Sequence, residues 1–146
     1  MPPRSVPAES VLVRILVVDD FEPARRLLCS ILSTQELLHV VGEAADGLQA
    51  VQRARELQPE VILLDIGLPG LNGIEASSQI RQVAPKSKIL FVSQFNDGDM
   101  VRAALSDGQM GYVFKADTGR ELLPAIRAVL RGEKFVSSGL KVSDPA

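Results

Sequence analysis

The most constraining feature of this sequence is a run of four apolar residues at positions 61–64 that ends on a carboxylate, Asp65. An unbroken apolar run of this length is typical of a strand buried on both faces, as in a parallel sheet. The residues that follow it, Gly67, Pro69 and Gly70, favour an open turn. We therefore expect Asp65 to lie at the carboxyl end of a central strand, the edge at which open α/β sheets bind ligands. Taken alone, Asp65 is equally well explained as a loop residue that accepts hydrogen bonds from nearby backbone N–H groups.

Strand-like and helix-like patterns alternate along the rest of the chain. Apolar runs predict further strands, and the stretches between them carry apolar residues at helical spacing. Five strands alternating with five helices indicate an α/β fold, a parallel sheet with helices on both faces. The four further strands are predicted at residues 13–18, 39–44, 88–92 and 110–114.

Helix boundaries can be predicted from capping residues. Asp46 and Asn72 each stand where a side-chain oxygen would cap the following helix. Thr118 and Glu121 have the spacing of a capping box at the start of the last helix. Pro124 lies farther into that helix than proline is usually tolerated, so we expect an irregular first turn there.

Composition divides the chain into one domain and two flanks. A chain of 146 residues suits a single domain. Residues 1–12 are rich in proline and predict a flexible leader, whereas residues 134–146 are polar enough to predict a linker or tail. The domain itself is expected to span residues 13–133.

Charge and composition exclude several classes of function. The net charge of −2 gives no reason to expect DNA binding by this chain alone. Cys29 is the only cysteine, so no internal disulfide can form and a reducing compartment is expected. No apolar run approaches the roughly 20 residues that a membrane span needs. We therefore expect a cytoplasmic protein with no membrane partner.

Polar residues end the predicted strands and should meet at one edge of the sheet: Asp19, Asp20, Asp65, Ser93 and Lys115. Three neighbouring carboxylates repel one another unless a cation lies among them, and this repulsion is expected to raise the pKa of one or more of them. Oxygen ligands of this kind suit Mg²⁺, which takes few protein ligands. A nucleophilic carboxylate beside a metal, a lysine and a hydroxyl is a set suited to phosphoryl transfer, with an aspartyl phosphate as the product.

These residues stand in segments that resemble a known family, the receiver domain of two-component response regulators, particularly those of the LuxR/NarL type. The resemblance covers approximately residues 13–136. It implies a flavodoxin-like (CheY-like) sheet with strand order 2-1-3-4-5, which places Asp19 and Asp20 beside Asp65. The matching segments are Val17-Val18-Asp19-Asp20, Leu64-Asp65-Ile66-Gly67-Leu68-Pro69-Gly70-Leu71-Asn72-Gly73-Ile74-Glu75, Val92-Ser93 and Gly111-Tyr112-Val113-Phe114-Lys115.

The resemblance implies a role for each of the acidic residues. Asp65 accepts a phosphoryl group from a sensor histidine kinase or a phosphotransfer protein. Asp20, Asp65 and the carbonyl of Gly67 bind Mg²⁺ directly, and Asp19 binds it through water.

The resemblance also implies roles for residues of the fourth and fifth strands. Lys115 pairs with the acidic site and then with the phosphoryl group. Ser93 hydrogen-bonds a phosphoryl oxygen, and Tyr112 is the aromatic switch that follows it. Many receivers have proline after the lysine, in a cis peptide, but Ala116 stands there in this chain, which leaves the geometry of that bond open.

The function implied is a signalling switch that controls an output, expected to be LuxR-type transcriptional regulation, with phosphorylation-dependent homodimers as one expected assembly. Two alternatives belong to other classes. A phosphatase with an aspartyl-phosphate intermediate would usually have a second acid two residues after the nucleophile, where this chain has Gly67. A degenerate receiver that only binds partners would be expected to lack part of the acidic set, and none of it is missing.

Overall fold

The computed structural model describes residues 11–106 and 111–137. Within these residues strands and helices alternate as the sequence predicts. The elements are β1 (Val13–Val18), α1 (Glu22–Ser33), β2 (Leu38–Ala44), α2 (Gly47–Leu57), β3 (Val61–Leu64), α3 (Gly73–Val83), β4 (Lys88–Ser93), α4 (Gly98–Leu105), β5 (Gly111–Phe114), a 3-10 turn (Lys115–Asp117), α5 (Thr118–Leu130) and β6 (Phe135–Val136). Residues 1–10 of the predicted leader and residues 138–146 of the predicted tail lie outside the described part of the chain.

The strands form one sheet in the order β2-β1-β3-β4-β5-β6, and every neighbouring pair is parallel. The predicted α/β class and the order 2-1-3-4-5 are confirmed. The number of strands was underestimated, because β6 adds a sixth strand inside the segment predicted as a linker or tail. A strand of two residues is too short to produce a periodic pattern in the sequence.

Strand β3 is buried on both faces, as its apolar run predicts. Ile62 and Leu64 contribute to a core beneath α2, α3 and α4, whereas Val61 and Leu63 contribute to a second core beneath α1 and α5. This alternation follows from the two-residue period of a strand. Because helices cover both faces, only the edges of the sheet remain open for chemistry. In the described part of the chain, no helix combines the length and the apolar character needed to cross a bilayer.

Two of the three predicted caps are found. The carboxylate of Asp46 accepts a hydrogen bond from the Gln49 N–H at the start of α2. Asn72 and Glu75 form a reciprocal capping box at the start of α3, at 2.9 and 3.2 Å.

The predicted capping box of α5 is wrong. Thr118 is already helical, and its hydroxyl donates a hydrogen bond to the Lys115 carbonyl at 3.0 Å. The irregular first turn expected for α5 is not found, because α5 is helical from Thr118 through Pro124, and the 3-10 turn precedes it. Asp117, the last residue of the 3-10 turn, occupies the N-cap position, so Thr118 lies one residue too late to act as a cap.

Candidate functional site

Asp65 is fixed at the carboxyl edge of the sheet by the strands beside it. It directly follows β3, and its backbone N–H donates to the Val18 carbonyl at the end of β1 at 3.1 Å. Its side chain is almost fully buried, because the residue as a whole is only 5% exposed. The carboxylate therefore lies at the mouth of the central strands, as predicted from the apolar run.

The other two carboxylates follow β1. Asp19 is fully buried, and its Oδ1 accepts a hydrogen bond from the Phe21 N–H at 2.9 Å. Asp20 is exposed. One carboxylate oxygen from each of Asp19, Asp20 and Asp65 lies within 4.8 Å of the others. The structure thus brings the three predicted carboxylates together, and it separates them into one open and two enclosed groups.

Lys115 joins the two enclosed carboxylates. It directly follows β5, and its Nζ lies 2.7 Å from Asp19 Oδ2 and 3.0 Å from Asp65 Oδ2. A second cation that the sequence did not reveal lies close by. The Arg25 guanidinium donates to the Asp19 backbone carbonyl at 2.8 Å and pairs with Glu43 at 2.9 Å. Its position one helical turn into α1 carries no sequence signal of that contact.

Burial is the largest single influence on the pKa values of Asp65 and Lys115. Burial raises the pKa of the Asp65 carboxyl, and Asp19 adds to this, although Lys115 acts in the opposite direction. Burial alone would lower the pKa of the Lys115 ammonium, but its contacts with Asp19 and Asp65 outweigh that effect and raise the pKa. The sequence predicted repulsion between carboxylates as the cause of a raised pKa; for Asp65, desolvation contributes more.

The raised pKa of Asp65 predicts a pH-dependent stability. A carboxyl whose folded pKa exceeds its unfolded value, about 3.9, destabilises the fold increasingly as pH rises through that interval. We expect metal-free Asp65→Asn to be more stable than wild type at pH 7, by on the order of 1 kcal/mol, with the difference vanishing near pH 3. Urea unfolding at both pH values measures this. A variant less stable than wild type at pH 7 would show that the Lys115 contact outweighs burial.

Ser93 and Tyr112 meet at one backbone segment. Both are fully buried. The Ser93 hydroxyl accepts a hydrogen bond from the Phe95 N–H at 3.3 Å, and the Tyr112 hydroxyl donates to the Phe95 carbonyl at 2.7 Å. Burial raises the pKa of Tyr112. Phe95 therefore links the two predicted switch residues, and sequence reasoning missed it because a single aromatic residue after a strand has no distinctive spacing.

Gly67 lies beside the carboxylate of Asp65, to whose Oδ1 its N–H donates at 3.3 Å. A Cβ at this position would approach the Phe95 ring to 3.4 Å. The metal-binding role of its carbonyl stays a prediction. None of the peptide bonds within residues 11–106 and 111–137 is cis, so the Lys115–Ala116 bond, left open by the sequence, is trans.

The residues present fit a divalent cation with oxygen ligands. The cluster offers three carboxylates, one of them exposed, and the single ammonium group of Lys115 balances only part of their charge. An exposed carboxylate beside two enclosed ones leaves room for the water ligands that Mg²⁺ keeps.

Comparison with known families agrees with this geometry. The model of the "Response regulator receiver domain" family matches residues 15–127. That range extends from β1 into α5 and includes every residue of the site described above.

Individual proteins with curated descriptions support the same assignment. The chain is 38% identical over 127 residues to the transcriptional regulatory protein LiaR of Bacillus subtilis, a match that covers 87% of this chain and 60% of LiaR. It is 37% identical to the response regulator protein VraR of Staphylococcus aureus, covering 83% of this chain and 58% of VraR. The matched region thus spans about three fifths of the length of these relatives.

Solved structures give the same result. A LuxR-family two-component response regulator from Aurantimonas superposes with a TM-score of 0.84 at 33% identity, and the match covers 88% of this chain and 92% of that one. The family match, the relatives and the solved structure all agree with the acidic residues at the carboxyl edge of this sheet. The chain therefore belongs to the response regulator receiver domain family.

Proposed function

We propose that this receiver domain accepts a phosphoryl group on Asp65 and thereby switches an output. The observation that carries the proposal is the position of the Asp65 carboxylate, which lies 3.0 Å from Lys115 Nζ and within 4.8 Å of oxygens of Asp19 and Asp20. An enclosed carboxylate beside a cation and a cluster of oxygen ligands is suited to in-line attack on phosphorus.

In the proposed transfer, an Asp65 oxygen forms the new P–O bond while the P–N bond of a phosphohistidine donor breaks. The electron pair of that bond stays on the imidazole nitrogen. Lys115 stabilises the negative charge of the phosphoryl oxygens, and Asp19 holds Lys115 in place. Asp20, Asp65 and the Gly67 carbonyl would hold Mg²⁺, with Asp19 acting through water. Bound Mg²⁺ would supply positive charge opposite the phosphoryl oxygens.

The partners proposed for this chain follow from its family. A sensor histidine kinase or a phosphotransfer protein would supply the phosphoryl group, and transcriptional regulation is the proposed output, because LiaR is a transcriptional regulatory protein. We propose a phosphorylation-dependent homodimer as one form of the activated state. DNA binding is not proposed for this chain alone.

Acetyl phosphate is expected to add one phosphoryl group to the protein in the presence of Mg²⁺ and none in the presence of EDTA. Intact-mass spectrometry measures this directly. Asp65→Asn should abolish the added mass. Asp46→Asn, which alters a partly exposed carboxylate at the start of α2, is the matched control and should retain it. An undiminished mass shift in Asp65→Asn would contradict the assignment.

The same preparation separates the phosphatase alternative from the switch. A phosphatase would turn over a small phosphomonoester many times, whereas the proposed switch would not. The absence of a second acid at Gly67 favours the switch.

We propose that Ser93 and Tyr112 carry the switch through the Phe95 segment. The adjoining helix α4 has eight residues, of which only Val101 and Ala104 are buried. An element with so little buried surface is the easiest to displace.

We expect beryllofluoride with Mg²⁺ to change amide hydrogen exchange in residues 93–106 and in β5. The physical reason is that both hydrogen bonds of the Phe95 segment end on proposed switch residues. The helix α2, which packs against α3 and β2, provides the internal control. Identical exchange with and without beryllofluoride across β4, α4 and β5 would refute the proposed switch.

A further inference from the structure

Ser137 is a buried polar residue that the proposed phosphoryl chemistry does not use. It follows β6 and is only 2% exposed. Its N–H donates to the Tyr112 carbonyl at 2.9 Å, and its hydroxyl oxygen accepts a hydrogen bond from the Phe114 N–H at 2.8 Å. Both hydrogen bonds therefore hold the carboxyl end of β5.

The hydroxyl occupies a position that a backbone carbonyl would take in a regular ladder. In parallel strands, a residue that donates to residue i−1 of its neighbour accepts at its own carbonyl from the N–H of residue i+1. Here Ser137 donates to Tyr112 and accepts from Phe114 through its side chain. The side chain thus extends the pairing of β5 and β6 beyond Tyr112–Val136, the last pair of the strand register.

The residue held in this way is the immediate neighbour of Lys115. The Phe114 N–H is bonded to Ser137 on one side of β5, and on the other side β5 pairs with β4 as far as Ser93 and Phe114. The backbone from which the Lys115 side chain reaches Asp19 and Asp65 is therefore anchored one residue before the lysine.

We infer that Ser137 is a positioning residue for Lys115, and that its hydroxyl sets how well the ammonium group meets a phosphoryl group on Asp65. The inference rests on the proposed function of Asp65. By this inference, the segment after α5 affects the phosphoryl site through the backbone of Phe114.

Ser137→Ala is expected to weaken binding of beryllofluoride in saturating Mg²⁺ by about fivefold, the scale of one lost hydrogen bond. Its affinity for Mg²⁺ alone should stay within about twofold of wild type, because none of the proposed metal ligands has moved. Fluorine NMR titration measures the first affinity and calorimetry the second. Ser137→Thr, which keeps the hydroxyl, should restore beryllofluoride binding.

Ser87→Ala provides the matched control. The Ser87 hydroxyl also bonds to the backbone of a distant residue, but it donates to the Pro59 carbonyl and lies just before β4 begins, at the opposite edge of the sheet. This variant should bind beryllofluoride as wild type does. If Ser137→Ala fails to fold, hydrogen exchange of the Phe114 amide in wild type tests the positioning role instead. The inference requires this exchange to slow further when beryllofluoride and Mg²⁺ bind.

Three results would contradict the proposed function or the positioning role, and each shows which of the two fails. A wild-type protein that does not bind beryllofluoride at Asp65 overturns the proposed function. Wild-type binding together with equal affinity in Ser137→Ala, or with an equal loss of Mg²⁺ affinity, overturns the positioning role alone. An unchanged Phe114 amide does the same.

Discussion

Gly73→Ala is expected to lower the free energy of unfolding by about 3 kcal/mol, the upper end of the cost of overpacking. A Cβ at Gly73 would lie 2.0 Å from the Asp65 carbonyl oxygen and 2.6 Å from Ile66 Cα. Neither atom belongs to a flexible side chain, so the backbone itself has to move. The Gly73 N–H also donates a hydrogen bond to the Ile66 carbonyl at 2.8 Å, which holds the two backbone segments close together.

The displaced backbone is that of the proposed phosphoacceptor, so the damage should extend to the site. We expect Gly73→Ala to lose beryllofluoride binding even under conditions in which the protein remains folded. Urea unfolding and fluorine NMR on the same sample measure both effects.

Gly119→Ala is the matched control for this experiment. Gly119 lies in α5, and a Cβ there meets no heavy atom within 4 Å. Alanine in a helix is favoured over glycine by about 0.5–1 kcal/mol, so this variant should be slightly more stable than wild type. A loss of stability in both variants would show that the contact with Asp65 is not the cause.

Lys115→Met is expected to destabilise the metal-free protein by about 2 kcal/mol at pH 7. Removal of one partner from a buried ion pair typically costs about 3–5 kcal/mol, and the Lys115 side chain is 21% exposed, which reduces the loss. Asp19 is fully buried, and the variant would remove the ammonium group that lies 2.7 Å from its carboxylate. Methionine retains the apolar stem, so the change tests charge more than packing.

The loss should depend on pH and on Mg²⁺. It should shrink as pH falls through the raised pKa of the Asp65 carboxyl, because that group then becomes neutral. Mg²⁺ should reduce it at pH 7, since a cation that binds the folded state stabilises that state. Urea unfolding across this range measures both effects.

Arg26→Met is the control for the ion pair. Arg26 pairs with Glu22 at 2.6 Å on the surface of α1, where the two side chains are 78% and 57% exposed. An exposed pair of this kind contributes up to about 1 kcal/mol. If Lys115→Met cost no more than Arg26→Met, the two enclosed carboxylates would not depend on the lysine.

Much of the fold was predictable because its signals are local. The apolar run of β3 reports burial on both faces, and the five main strands are long enough to show such patterns. Asp46 and Asn72 cap their helices through neighbours three residues away, so the sequence alone contains both partners. The acidic site was predictable for a related reason: parallel strands bring their carboxyl ends to one edge, so each strand end could be assigned to the site without knowledge of the packing.

The remaining features depend on contacts between distant residues. Gly73 touches Asp65, and Arg25 reaches the carbonyl of Asp19, but nothing in their spacing indicates either contact. A raised pKa was expected for one or more of the three carboxylates, yet the main cause of the raised pKa of Asp65 was not, because desolvation depends on the whole surrounding structure. The failed capping box at Thr118 shows the converse: a local motif loses its role when a preceding 3-10 turn occupies the position of the cap.

The short strand β6 also determines how far the chain can be shortened before the edge of β5 loses its hydrogen-bond partners. A chain cut at residue 133, the domain boundary that composition suggested, would leave β5 as the edge of the sheet. The Tyr112 carbonyl and the Phe114 N–H would then lose the partners that Ser137 provides. Unpaired edges of apolar strands are templates for pairing between molecules, and they promote aggregation. Two residues of strand and one serine therefore cover the β5 edge of the sheet, and the smallest piece that keeps this edge covered extends to Ser137.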